Sequence, residues 1–185
     1  MNYHADRAAL ASLPDELSPP RPIALAGFMG VGKTTIGRLL AEALERPFYD
    51  TDSYVEAAAG RSVDEFFLKD QEPEFRRREA EAVRDIVAKG AVVIALGGGA
   101  LLNDGSRSLL RERSLLVHLH VPWKDLRGRV PSLIATRPLM RGRTLPEIHQ
   151  LYLERQATYK TAALRINIGR RSPAEAAAEV LRAVR

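Results

Sequence analysis

Cysteine is absent from this 185-residue chain, tryptophan occurs once, and aromatic residues make up only 6%. Without thiols there can be no disulfides, iron–sulfur clusters or cysteine zinc sites, a composition that suits a reducing compartment. No apolar run approaches the roughly 18 residues expected of a membrane-spanning helix. The N-terminus carries acids and prolines where a secretory signal would carry an apolar stretch. A cytoplasmic protein with no membrane partner is therefore expected. Lysine is sparse beside arginine, and the formal net charge is +5. A basic balance suits anionic small substrates as well as nucleic acid, but no lysine-rich tail or aromatic-interleaved basic run appears. Nucleic acid is not the expected partner.

What is present is ordinary globular material, 45% hydrophobic and 28% charged, in a length that fits one domain. Its organising stretch is Gly27-Phe28-Met29-Gly30-Val31-Gly32-Lys33-Thr34-Thr35. The spacing of Gly27, Gly32, Lys33 and Thr34 fits the phosphate-loop pattern G-x-x-x-x-G-K-[ST]. Ile23 to Ala26 before it reads as a buried strand, and Ile36 to Leu44 after it as a helix with Ile36, Leu39, Leu40, Ala43 and Leu44 on one side. Glycines allow the backbone N–H groups to converge on phosphate oxygens, and the helix start adds partial positive charge. Lys33 supplies a mobile cation for the β- and γ-phosphates, and the Thr34 hydroxyl can ligate magnesium. ATP and Mg2+ are the expected co-substrate and metal.

Before this loop, residues 1–21 read as a lead-in that ends in a proline-rich linker, with a short helix conceivable over Met1 to Leu13. After it, Pro47-Phe48-Tyr49 reads as a second strand running into Asp50-Thr51-Asp52, two carboxylates at the carboxyl edge of a sheet. Asp52 or Ser53 could cap a helix over Tyr54 to Ala59, but a cap explains one aspartate and not both. A longer helix over about 72–89 has Ala80, Val83 and Val87 as its apolar stripe, and four residues back the stripe lands on Arg76. An arginine leaning inward needs an anion, either a ligand or an internal ion pair. Ala91 to Leu96 reads as a central strand opening into Gly97-Gly98-Gly99, where a ligand could approach the backbone closely.

Leu115 to Leu119 is a fourth strand, and His118 and His120 on its one face read as structural, since a metal site needs more ligands. Residues 130–143 read as irregular and arginine-bearing, a candidate lid. Leu145 to Ala163 returns to helix, with Leu145, Ile148, Tyr152, Tyr159 and Ala162 on a stripe that also takes in Arg155. Leu164 to Ile168 and Pro173 to Arg185 close the chain as strand and helix. Alternating strands and helices imply one parallel sheet covered on both faces, with no second core.

Together these residues resemble the shikimate kinase family of nucleoside-monophosphate-kinase-like P-loop kinases. The resemblance runs over about 22–185. It rests on Gly27-Phe28-Met29-Gly30, Gly37-Arg38, Asp50-Thr51-Asp52, Glu74-Phe75-Arg76-Arg77, the triple glycine, Arg137-Pro138-Leu139, and Arg155 followed by Tyr159. It implies a three-layer α/β fold with a five-stranded parallel sheet in the order 2-3-1-4-5, a substrate-binding region at about 50–90 and a lid at about 130–143. The implied activity is ATP-dependent phosphorylation of the shikimate 3-hydroxyl, a step toward chorismate and the aromatic amino acids, by a monomer.

The resemblance also implies roles. Gly30, Val31, Gly32, Lys33, Thr34 and Thr35 would wrap the phosphates, with Thr34 on magnesium and Asp50 holding its water shell. Asp52 would bind substrate hydroxyls and help deprotonate the 3-hydroxyl. Arg76 and Arg155 would clamp the carboxylate beside Gly97, Gly98 and Gly99. Arg137 would close from the lid onto the transferring phosphate, and Arg171 to Pro173 would flank adenine. This chain has Thr34 where serine is commoner, Gln71 where glycine is frequent, and a lid without its usual glycines. Two other functions fit some of these residues: a kinase for quinate or gluconate, and a ligand-sensing module.

Overall fold

Every strand grows from one of the apolar runs. A computed structural model describes residues 20–184, so the short helix conceived over Met1 to Leu13 lies outside the described residues. Its strands are β1 (Ile23–Ala26), β2 (Phe48–Asp50), β3 (Val93–Ala95), β4 (Leu115–His120) and β5 (Leu164–Asn167). They pair in parallel in the order β2-β3-β1-β4-β5, the expected topology. β1 is buried along its whole length between β3 and β4, with Ile23 opposite both Val93 and Leu115. Asp50 and Leu25 lie opposite the same residue, Ala95. The carboxyl ends of β1, β2 and β3 therefore open side by side, where ligands of parallel sheets collect.

The helices are α1 (Lys33–Ala43), α2 (Thr51–Ala59), α3 (Val63–Leu68), α4 (Glu72–Val87), α5 (Asp104–Arg113), α6 (Trp123–Leu126), α7 (Val130–Thr136), α8 (Leu145–Tyr159) and α9 (Pro173–Val184). Two of the expected stripes need correction. In α1 the buried residues are Ile36, Gly37, Leu40 and Ala41, and Ala43 is exposed. Gly37 belongs to that face because a side chain there would run into the Phe48 ring. In α8 the stripe begins at Ile148: Leu145 opens the helix at its exposed first turn, and Ala162 lies beyond its end.

Residues 130–143 are not irregular. They form α7 and a 3-10 turn, Pro138–Met140. Pro131 falls in the first turn of α7, where a missing N–H costs nothing. Leu133 gives the helix a reason to dock: it is buried, and its methyls lie over Gly30, where a Cβ would come within 2.7 Å of them.

A further correction concerns the core. The sheet and its covering helices share one large cluster, but Val55, Phe66, Phe75 and Ala82 form a separate small one among α2, α3 and α4. α4 contributes to both, with Val83, Ile86 and Val87 in the large cluster and Phe75 and Ala82 in the small one.

Candidate active site

The loop between β1 and α1 takes the shape its glycines permit. Gly30 and Gly32 have φ of 77° and 101°, a region that L side chains rarely enter. Gly32 is also the N-cap of α1, and α1 has no side-chain cap. Its first N–H groups are thus left for an anion. Lys33 bends back over the loop and donates to the carbonyls of Gly27 at 2.8 Å and Phe28 at 3.2 Å. Burial lowers its pKa from the ordinary lysine value to about 8, with Asp52 opposing and Arg137 adding to the fall.

That value has a measurable consequence. Phosphate oxygens beside Lys33 favour its charged form. At pH 7 the ammonium is already protonated, so ADP binding should take up almost no proton there. Near pH 9 the empty site holds a largely neutral amine, and ADP binding should draw in close to one proton. Binding calorimetry in buffers of different ionisation enthalpy reads this directly, and equal proton uptake at both values would contradict it.

The two aspartates divide their work, though not as the capping argument expected. Asp50 is the N-cap of α2, taking the N–H groups of Asp52 and Ser53 on Oδ1. The helix accordingly starts at Thr51, three residues earlier than expected. The other oxygen, Oδ2, accepts from Thr34 Oγ1 at 2.7 Å. A hydroxyl and a carboxylate joined beside the phosphate loop are hard oxygen donors that suit Mg2+. Among the described residues no three His, Cys, Asp or Glu side chains converge as a metal site. An ion here would complete its shell with nucleotide oxygens and water. Asp52 makes no cap, and burial pushes its pKa above the usual carboxylate value, Asp50 adding to the rise while Lys33 and Arg137 oppose it.

The triple glycine closes the opposite wall, and the pressure on it comes from the protein's own side chains. A Cβ on Gly97 would collide with Asp52 Oδ1 and Glu79 Oε1, and one on Gly99 with the Arg76 guanidinium. Thr51 Oγ1 accepts the Gly97 N–H at 2.7 Å, which fixes the strand exit.

Arg76 leans inward as the stripe indicated, but its fork is occupied. Nε and Nη2 donate to Glu72 Oε1 at 3.1 and 2.9 Å, and Nη1 donates to Glu79 Oε2 at 2.8 Å. Glu79, only 3% exposed, keeps Oε1 buried with no hydrogen-bond partner. Burial lifts its pKa to about 6 against the pull of Arg76, with Asp52 adding to the rise. Sequence reasoning passed over Glu79. The signal was there, an acid on the apolar stripe three residues after Arg76 and four before Val83. Arg155 is half-buried, and burial lowers its pKa, with Tyr159 opposing and the charge of Arg76 adding to the fall. Unlike Arg76, Arg155 lines neither of the two cavities of the crevice.

Two cavities occupy the crevice. The larger, about 470 Å³, is lined by the phosphate loop, Asp50, Asp52 and Gly97. The smaller, about 50 Å³, is lined by Phe67, Phe75, Arg76, Glu79, Gly99 and Leu139. Met29, Asp52, Val63, Gly98 and Arg137 line both, so they stand on the boundary. Arg129, one of the arginines counted with the candidate lid, donates to Gly30 O at 3.0 Å. Of the expected nucleotide residues, Arg171 and Pro173 are exposed at the turn after β5, and Arg171 donates to Asn167 O at 2.6 Å. They do not line either cavity. His118 is buried against the Tyr159 ring at 4.8 Å, and burial pushes its pKa down to about 3.

A shikimate kinase family model matches residues 29–185. The chain belongs to the shikimate kinase family. Among its relatives, the shikimate kinase of Bacillus subtilis is 38% identical over 158 residues, covering 85% of each chain. That of Symbiobacterium thermophilum is 43% identical over 162 residues, covering 86% of this chain and 93% of the relative. Solved shikimate kinases superpose closely. The Aquifex aeolicus structure matches with a TM-score of 0.78 at 34% identity, over 88% of this chain and 95% of that one. The Acinetobacter baumannii structure, in complex with shikimate, matches with a TM-score of 0.77 at 29% identity, over 89% and 93%. A gluconokinase from Sinorhizobium meliloti, 19% identical with a TM-score of 0.54, shares the fold alone.

Proposed function

We infer that this chain is a shikimate kinase, which uses ATP to phosphorylate the 3-hydroxyl of shikimate and releases ADP. The observation that carries the reading is the meeting of a phosphate-loop cavity with an arginine-bearing lobe along Asp52, Gly98 and Arg137. A nucleotide on one side and a small hydroxy-carboxylate on the other would face each other across those residues.

Gly30, Val31, Gly32, Lys33, Thr34 and Thr35 hold the phosphates, and Arg171 and Pro173 flank the base. Thr34, with Asp50 through water, would hold Mg2+, which would supply charge neutralisation at the phosphates. Arg76 and Arg155 take the substrate carboxylate, with the backbone of Gly97, Gly98 and Gly99 alongside. Arginine suits that task, because its planar fork meets a carboxylate in two parallel bonds. The more exposed partner of Arg76, Glu72 at 47%, is the one a ligand would displace, while buried Glu79 stays. Asp52 orients the 3-hydroxyl and takes its proton. Lys33 and Arg137 stabilise the charge of the moving phosphoryl group. The kinase domain spans 22–185, with the substrate region at about 50–90 and the lid at about 130–143. It acts as a monomer in the cytoplasm. No helix among the described residues is long and apolar enough to cross a membrane.

Coupled ADP release with shikimate, quinate and gluconate as acceptors tests the reading. Shikimate should be turned over fastest, and Arg76→Ala should raise its KM by about 10²-fold, the usual cost of truncating a desolvated charge pair. Faster turnover of quinate or gluconate, or an unchanged KM in the variant, would overturn the assignment of that lobe.

A further inference from the structure

Arg61 lies outside both cavities and belongs to no part of the phosphate machinery, yet it is among the most fully engaged side chains of the substrate region. Its backbone is fixed on both sides. Gly60 ends α2 in the left-handed region, and the Ser62–Glu65 capping box opens α3. Val63 N–H donates to Glu56 Oε1 at 2.9 Å, tying the start of α3 back to α2. From that fixed base the guanidinium lies over the Phe66 ring, 3.8 Å from its centroid. Nη1 donates to Gln71 Oε1 at 2.5 Å and Nη2 to Glu74 Oε2 at 2.9 Å.

Both acceptors belong to the start of α4. Gln71 is its N-cap residue, and its side chain makes no cap hydrogen bond. Glu74 lies in the first turn, and its other oxygen takes Arg78 Nε at 2.9 Å. Arg76 stands one residue past Phe75, and Phe75 packs on Phe66 and Phe67 with ring centroids 5.7 and 5.6 Å apart. The apolar support for this arrangement is slight, a cluster of four buried residues joined to the main core through half-buried Tyr54. A polar brace there carries more of the geometry than it would over a large core. The side chain is 23% exposed, and its fork spans two acceptors while stacking on a ring. That geometry loses less to solvent than an ordinary surface pair.

We propose that Arg61 is a positioning residue for the substrate carboxylate, acting through α4. By tying the α2–α3 turn to the first turn of α4, it sets where Arg76 stands. This rests on the assignment of Arg76 to the carboxylate. It also gives Gln71 a task, since glycine at that position would offer Arg61 no side-chain acceptor.

The test compares two acceptors, shikimate and its analogue with the carboxylate reduced to a primary alcohol. Arg61→Leu keeps an apolar group on Phe66 and removes the fork. Arg61→Lys keeps the charge but cannot hold two acceptors in a fixed fork. Each variant should lose about tenfold in kcat/KM toward shikimate, mostly in KM, as a small displacement of a clamp residue would. Toward the alcohol each should stay within about twofold of the unmodified chain, because that acceptor has no carboxylate to misplace. Equal losses toward both acceptors in the folded variants, or no loss toward shikimate, would overturn the proposal. Arg76→Ala run in parallel separates the two levels. If it raises the KM for shikimate while Arg61→Lys does not, only the brace is wrong. If Arg76→Ala leaves KM unchanged, the carboxylate assignment itself has failed.

Discussion

Asp52→Asn should lower kcat by about 10²- to 10⁴-fold, the range that a general base contributes, while ADP binding changes little. Asparagine keeps the size and one carbonyl oxygen, so it leaves space and shape nearly intact and removes the negative charge and with it the capacity to take a proton. The environment of Asp52 favours that role. Burial and the neighbouring Asp50 raise its pKa, and Lys33 and Arg137 hold the rise in check. A base is useful when ionised. Activity should therefore be present above that raised value and should fall as the pH drops through it. In Asp52→Asn the residual activity should have lost this acid limb. A variant with near-normal kcat would remove Asp52 from the chemistry.

Arg137→Ala should be comparably severe, about 10³-fold or more in kcat, by analogy with arginines that neutralise a transferring phosphoryl group. Its position makes the analogy physical. The residue follows α7 directly, lines both cavities, and acts electrostatically on Lys33 and Asp52. Since this interaction is made with developing charge, the loss should fall on kcat and leave the Kd for ADP nearly unchanged. Steady-state kinetics with a separate ADP titration would separate the two. Unchanged turnover would show that the segment does not serve as a catalytic lid.

Residues 130–143 also illustrate where sequence reasoning stops. Pro131 suits a helix start, but the segment between it and Pro138 is too short to show a helical period, so nothing in the periodicity announces α7. What makes the helix is a tertiary contact, Leu133 packing onto Gly30 about a hundred residues earlier in the chain. The phosphate loop was legible because its spacing is fixed by the size of a phosphate. Arg76 was legible because a helix repeats its face at three and four. Glu79 lay on the same stripe and could have been found by asking what an inward arginine pairs with. Arg61 could not: it occupies a turn without period, and its partners Gln71 and Glu74 are set by how three helices fold over a four-residue cluster. Asp50 and Asp52 were read as a pair at the carboxyl edge of the sheet, and both line the larger cavity. Their division of labour depended on where α2 begins, and helix ends are the least certain part of any sequence reading.

Product identity tests the central claim most directly. The full chain, incubated with MgATP and shikimate, should yield one ADP for each shikimate consumed. Phosphorus and proton NMR should then show a single phosphate ester, on the 3-oxygen. ATP hydrolysis that is indifferent to shikimate, or an ester on the 4- or 5-oxygen, would contradict the placement of Asp52 between the phosphate loop and the Arg76 lobe.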